Sequence, residues 1–430
     1  MVTVRMRRTR KDFKMNIKEI KVESDRLTER LIRYCMIDTQ SNPDNEDATP
    51  STEKQFDLAK LLVEELKEIG IQDVSLDEHC YIYGKLPSNT NKSCPTVGFL
   101  AHMDTAPDFS GKDVKPRVIE NFDGCDIKLN DSMTIEMESF PWMREYKGKR
   151  LMVTDGTTLL GADDKAGIAC IMESLIYLKE HPEIEHGDIA VSFTPDEEIG
   201  NGVRCLDVDK FGADFAYTID GDTISEFSNE TFNAMSAKIT VKGFSIHPGS
   251  AKDKMINAGR IAGEFAAMLP GHMTPEHTEN REGFMHLISI EGDCSNAELT
   301  YIIRDHDKEK LLEKKFIMEK AVEYLNGIYG EGVVNATFRD SYSNMYEVLK
   351  DKPEITEVAI ETIKELGYTP SIKPVRGGTD GSGLTFMGVP CPNLGTGGGN
   401  FHGPFEYCVI DELEDSVRLV VGIAEKCAKL

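Results

Sequence analysis

Hydrophobic positions along the chain follow two periods. In residues 51–70, "STEKQFDLAKLLVEELKEIG", Phe56, Ala59, Leu62, Val63 and Leu66 recur at helical spacing and Gly70 ends the run. The spacing predicts an amphipathic helix lying on a sheet. The apolar runs "YIYGKL", "TVGFLAHM" and "DIAVSFTP" read as strands, and the helical segment "AGIACIMESLIYLKEH" stands between the last two. Buried strands alternating with helices imply an α/β layer architecture.

After "FAYTIDG" (215–221) the pattern changes. A strand ("NAMSAKITVKG"), a helix ("INAGRIAGEFAAML"), two strands ("FMHLISIEGD" and "AELTYIIRDHD"), a long helix ("KEKLLEKKFIMEKAVEYLNGI") and a strand ("GVVNATFRDSY") follow. This βαββαβ order predicts a ferredoxin-like unit. From about residue 345 the helix "KPEITEVAIETIKELG" and a glycine-rich stretch read as a return to the first sheet. The expected organisation is a discontinuous catalytic domain, 15–227 and 345–430, interrupted by an inserted α+β domain over 228–344. Residues 1–14, basic and without an apolar core, are expected to be a disordered extension.

Charge narrows the partners. Lys and Arg number 49 against 74 Asp and Glu, a formal net charge of −25, which repels nucleic acid and anionic membranes. The ten cysteines form no CxxC pair, which favours a reducing compartment. No run approaches the 18 or so apolar residues of a membrane span, so the cytoplasm is the expected location.

The polar residues that end the apolar runs carry the chemistry. "GFLA" runs into His102 and Asp104, "TLLGA" into Asp163 and Asp164, "AVSFTP" into Asp196, Glu197 and Glu198, "FAYTI" into Asp220, and "GTGGGNF" delivers His402. In an open α/β sheet, ligands bind where strands deliver residues at their carboxyl ends. Any one of these residues has a bland reading: Asp at a helix start is a good cap, a lone His is most often structural, and Glu197 with Glu198 suits a solvated turn. Carboxylates converging on one sheet edge repel one another unless a multivalent cation neutralises them. Two histidines with carboxylates and no cysteine suit Zn²⁺, Mn²⁺ or Co²⁺. The candidates are too many for one tetrahedral site and suit two ions about 3.5–4 Å apart, bridged by Asp163 or Asp164.

The motifs "HMDTAPD", "LLGADDKAGIA", "TPDEEIG", "TIDG", "GFSIHPGSAKDKMINA", "RGGTDGSGLTFMG" and "GGGNFHGPFE" occur in this order from about residue 36 to the C-terminus. Together they resemble the co-catalytic di-zinc exopeptidases related to carboxypeptidase G and succinyl-diaminopimelate desuccinylase, and within that group the tripeptide aminopeptidases. The resemblance implies a mixed-sheet zinc exopeptidase domain with an inserted ferredoxin-like lid, acting on small peptides. It makes Asp163 the bridging ligand, with His102 and Asp220 completing one zinc site and Glu198 and His402 the other. Asp104 would orient the His102 imidazole, and Glu197 would be the general base. The bond between Asp163 and Asp164 would be cis. His247 would hydrogen-bond the developing oxyanion, in cis or from a partner chain in a homodimer joined through the lid. Arg304 would clamp the substrate's terminal carboxylate, unless it pairs with Asp305 or Asp307, and Arg376 would also face the substrate.

Rival functions keep part of this pattern. A dipeptidase, aminoacylase or desuccinylase would keep the metals and change the substrate. A metal-dependent binding protein would keep the ligands without needing Glu197. A phosphate cradle in "GGTDGSG" or "GTGGGN" fits neither GxGxxG nor GxxxxGK[ST].

Overall fold

The computed structural model describes residues 16–45 and 47–430, so the expected 1–14 extension lies outside the described residues. The chain forms two compact units. The first runs through Phe227 and adds Glu354–Ser371 and Asn393–Leu430; the second holds Ser228–Pro353 and Ile372–Pro392. The first crossing falls between Phe227 and Ser228. The return falls nine residues later than 344, and a part of the glycine-rich segment groups with the second unit.

In the first unit, the helix expected from 51–70 forms over Gln55–Ile69, after a first helix, α1, at Ser24–Cys35, and is α2 here. Leu58, Ala59, Leu62 and Leu66 are its buried face, and Gly70 ends it at φ 82°. The strands are β1 (Gln72–Leu76), β2 (Ile82–Leu86), β3 (Val97–His102), β4 (Ile189–Thr194) and β5 (Phe215–Gly221). They lie in the order β1-β2-β4-β3-β5, followed by the strand Asn393–Gly395.

The sheet is mixed. β3, β4, β5 and Asn393–Gly395 run parallel, whereas β1 and β2 are antiparallel to their neighbours. Register pairs His102 with Thr194, so the ends of β3 and β4 arrive level at one edge. Every residue of β3 and β4 is buried, as expected of strands covered on both faces.

Helix α3 (Ala162–Glu180) packs against β3, β5, α1 and the C-terminal helix Ile410–Cys427. Gly167 permits that approach, since a Cβ there would lie 2.0 Å from the Ile219 carbonyl oxygen and 2.5 Å from Asp164 Oδ1. A side sheet was not legible in the sequence: Tyr407–Val409 pairs antiparallel with Leu151–Val153, over a core that includes Phe122, Ile135 and Met143.

The second unit is ferredoxin-like. Its strands are β6 (Asn233–Lys242), β7 (Phe284–Gly292), β8 (Asn296–Asp305) and β9 (Val334–Tyr342), ordered β7-β8-β6-β9 with all pairs antiparallel. Helices α4 (Ala258–Met268) and α5 (Lys308–Tyr329) bury Ile261, Phe265, Leu311, Met318 and Leu325 against Ile239, Leu299 and Ile303.

Candidate metal centre

Five side chains of the first unit meet at the carboxyl edge of the sheet. His102 is the last residue of β3, Asp220 lies near the end of β5, and Glu198 sits in the single turn Glu197–Ile199 that follows β4. Asp163 opens α3, and His402 sits in the loop that leads to Tyr407–Val409.

The distances describe two adjacent sets that share one carboxylate. His102 Nε2 is 3.0 Å from Asp163 Oδ1 and 3.5 Å from Asp220 Oδ1. His402 Nε2 is 3.0 Å from Glu198 Oε2 and 3.5 Å from Asp163 Oδ2. Asp163 therefore turns one oxygen to each histidine.

Asp163 and Asp164 have non-helical backbone angles at the start of α3, and the bond between them is cis. Asp164 comes within 4.8 Å of His102 and Asp220 through a carboxylate oxygen, which on distance alone makes it a second bridging candidate. Its hydrogen bonds argue against that role. Oδ1 accepts from the Gly167 N–H at 3.1 Å and Oδ2 from the His102 N–H at 3.3 Å, so each oxygen is already engaged with backbone.

Asp104 joins the two halves of the edge. Its buried carboxylate accepts from the backbone N–H groups of Glu197 (3.0 Å) and Glu198 (3.2 Å). The closer partner of His102 Nδ1 is the Asp104 carbonyl at 3.0 Å, with carboxylate Oδ1 at 3.4 Å. Both partners are acceptors, so Nδ1 carries a proton, and with a cation in the centre Nε2 would present its lone pair to it.

The electrostatics show a shortage of positive charge. Burial, followed by the charge of Asp163, pushes Glu198 up to about 8. Burial also lifts Asp220 to about 6. Hydrogen bonds to Asp163 and Glu198 push His402 up to about 11. Burial opposes charge on His102, but the Asp220 charge and the hydrogen bonds to Asp104, Asp163 and Asp220 leave it well above its ordinary value. Asp163, despite burial, is held low by the two imidazoles.

The donor set fits divalent cations. Borderline ions take imidazole nitrogen and carboxylate oxygen, and no thiol lies among these residues. Glu198 Oε1 is buried with no hydrogen-bond partner, an open acceptor of the kind a cation satisfies.

The sequence model of peptidase family M20/M25/M40 matches residues 138–426. The chain belongs to that family. The peptidase T of Alkaliphilus oremlandii is 52% identical to this M20 peptidase over 407 residues, 94% of this chain and 99% of that one. Two solved structures share the fold at a TM-score of 0.75: an aminopeptidase PepT from Bacillus cereus, 24% identical over 95% of this chain and 99% of its own, and a tripeptidase from Staphylococcus aureus, 23% identical over 95% and 100%. A dinuclear metal-binding M20 peptidase from Bacillus subtilis matches with a TM-score of 0.63 at 15% identity, covering 94% of this chain and 98% of its own.

The remaining expected residues of this M20 peptidase lie in varied surroundings. Glu197 is half-buried beside Asp104. In the second unit, His247 is exposed and its Nδ1 accepts from the Gly249 N–H at 3.1 Å. Arg304 is half-buried with its guanidinium 5.1 Å from the Tyr342 ring centroid. Asp305 pairs with Lys314 instead, and Asp307 caps α5. Arg376 gives its terminal nitrogens to the carbonyls of Asn280, Glu282 and Thr278 and lies over Phe232 and Phe284.

Two residues acquire roles that sequence reasoning did not give them. Asp196 turns away from the centre, accepting from Ser51 and Gln55 and so tying its turn to α2. Glu406 is 1% exposed and accepts from the N–H groups of Leu160, Gly161 and Asp163. Its signal was a lone glutamate between "GPF" and the apolar run "YCVI".

Proposed function

We propose that this chain is a metal-dependent aminopeptidase that releases the N-terminal residue from tripeptides, working in the cytoplasm with two zinc ions that manganese or cobalt can replace. The observation that carries the reading is the shared carboxylate of Asp163, whose two oxygens face His102 and His402. Two divalent ions held by such a set polarise the scissile carbonyl and acidify the attacking water. His102, Asp163 and Asp220 hold one, and Asp163, Glu198 and His402 hold the other.

Glu197 takes a proton from the attacking water and returns it to the leaving amine. Asp104 fixes the backbone of Glu197 through its N–H, and through Nδ1 it sets the tautomer of His102. His247 donates to the developing oxyanion, and Arg304, its face covered by Tyr342, binds the terminal carboxylate of the substrate. We assign Arg376 to the integrity of the second unit, because its fork is occupied by three backbone carbonyls. Leu312, Phe316, Tyr324 and Ile328 are exposed apolar residues on α5, and we propose that this helix joins two copies of the chain.

A substrate panel tests the reading. Free tripeptides are expected to yield the N-terminal residue and a dipeptide, with dipeptides, N-acylated amino acids and N-blocked tripeptides cleaved poorly. Preference for acylated amino acids would replace the aminopeptidase by an aminoacylase or desuccinylase.

A further inference from the structure

Glu406 stands outside the expected ligand and substrate set, yet its carboxylate is engaged with three backbone N–H groups. Oε2 accepts from Leu160 N–H at 2.7 Å and Gly161 N–H at 2.8 Å, while Oε1 accepts from Asp163 N–H at 3.1 Å. We propose that Glu406 is a positioning residue of the metal centre, tying the segment that carries Asp163 and the loop that carries His402 into one frame. The proposal rests on the reading that divalent ions occupy the centre.

The Asp163 side needs such a tie. Gly161, at φ 77°, is the residue before α3 and has no side chain with which to cap it. The following pair, Asp163 and Asp164, departs from helical geometry, so the first N–H groups are donors without helical partners. A local Ser or Asn would cap one or two of them. The longer Glu406, reaching in from another segment, spans residues 160–163 with two acceptor atoms. The Asp163 backbone is thereby fixed at the residue whose carboxylate faces both histidines.

The His402 side is held by the same residue. The Glu406 N–H donates to the Gly403 carbonyl at 3.3 Å, closing a turn directly after His402. Within that loop Asn400 (φ 54°) and His402 (φ 63°) adopt left-handed backbone, and Asn400 Nδ2 donates to the Phe405 carbonyl at 3.2 Å. Immediately beyond Glu406, Tyr407 enters the strand paired with Leu151–Val153. Glu406 therefore stands at a rigid strand start, with one ligand four residues behind it and the other at the end of its side chain. Burying a carboxylate for capping alone is costly when a neutral side chain suffices. A frame that must hold two ligands in register gives that burial a function.

The test reads metal affinity apart from catalysis. In Glu406→Gln the amide keeps the size of the side chain but offers one accepting oxygen, and it turns an NH₂ group toward at least one backbone N–H. Zinc affinity, read by competition with a chromophoric chelator, is expected to fall roughly 10- to 100-fold, the scale for groups that orient metal ligands. Glu406→Ala is expected to fall further, with Glu406→Gln recovering part of the loss. The melting temperature of the zinc-loaded variant should drop more than that of the metal-free one, because the lost affinity is lost stabilisation. A zinc affinity for Glu406→Gln within twofold of wild type, with equal melting shifts with and without zinc, would overturn the proposal and leave Glu406 a helix cap. If Glu406→Ala does not fold, Glu406→Gln decides alone. Wild-type protein that binds zinc but cleaves no tripeptide would sink the aminopeptidase reading and leave this comparison intact.

Discussion

His402 Nε2 lies 3.0 Å from Glu198 Oε2, although the two residues come from opposite halves of the chain. As an ion pair alone the contact is poorly balanced. Burial lifts Glu198 to about 8, and its second oxygen is buried without a partner. A cation beside this pair would supply the missing charge and the missing contact.

Removal of metal is expected to abolish tripeptide hydrolysis and lower the melting temperature. Adding Zn²⁺, Mn²⁺ or Co²⁺ restores both, and stabilisation grows with ion concentration, reaching about 2.7 kcal/mol at a hundredfold excess over Kd. Chelation followed by calorimetry and a peptide assay checks this; full turnover by exhaustively stripped protein would refute it.

Glu197 and Glu198 are neighbours with different expected phenotypes. Glu197→Ala should keep near-normal metal content while kcat falls by roughly 10² or more, the scale of a positioned acid-base group. Glu198→Ala should lose one ion. Metal analysis beside steady-state kinetics separates them, and reversed outcomes would exchange the two roles.

His247→Ala should lower kcat by roughly 10²–10³, the scale of one lost oxyanion donor. Metal content should stay unchanged, since the residue lies in the second unit and all five proposed ligands lie in the first. Wild-type kcat in this variant would leave His247 a loop residue.

Arg304→Ala should cost about 10- to 150-fold in kcat/KM on a free-acid tripeptide, corresponding to the roughly 1.5–3 kcal/mol of a charge-assisted hydrogen bond. On the same tripeptide amidated at its C-terminus the loss should be much smaller. The difference between the two losses isolates the contact. Equal losses would show that Arg304 supports the fold instead, through its stacking on Tyr342.

Phe316→Glu together with Tyr324→Glu places two carboxylates among the exposed apolar residues of α5, where Phe316 is 57% exposed and Tyr324 60%. Wild type is expected to elute as a dimer in size-exclusion chromatography with light scattering, and the double variant as a folded monomer. A monomeric wild type would remove this contact from the proposal.

Much of the first sheet and nearly all of the second unit could be read from the chain. β3 and β4 are unbroken apolar runs because both of their faces are covered, and β8 alternates because only one of its faces is. The order of elements from β6 to β9 was enough for the ferredoxin-like sheet, since short connections and antiparallel pairing leave few topologies. The cluster of His and carboxylate side chains was legible for a related reason: a charged residue at the end of a buried strand is costly unless something pairs with it.

Sequence pattern alone left the proposed bridging role open between Asp163 and Asp164, because adjacent residues share every local signal. Tertiary structure distinguishes their surroundings: Asp164 accepts from the N–H groups of Gly167 and His102, while Asp163 faces both imidazoles. The role of Glu406 was hidden in the same way, since its partners at 160–163 are distant in sequence and are backbone groups, which leave no mark on residue identity. The sequence by itself determined which elements form and which chemistry collects at the sheet edge, because hydrophobic period and residue type are local properties. Only the tertiary structure decided which oxygen faces which imidazole, because a hydrogen bond between distant segments depends on where folding brings them.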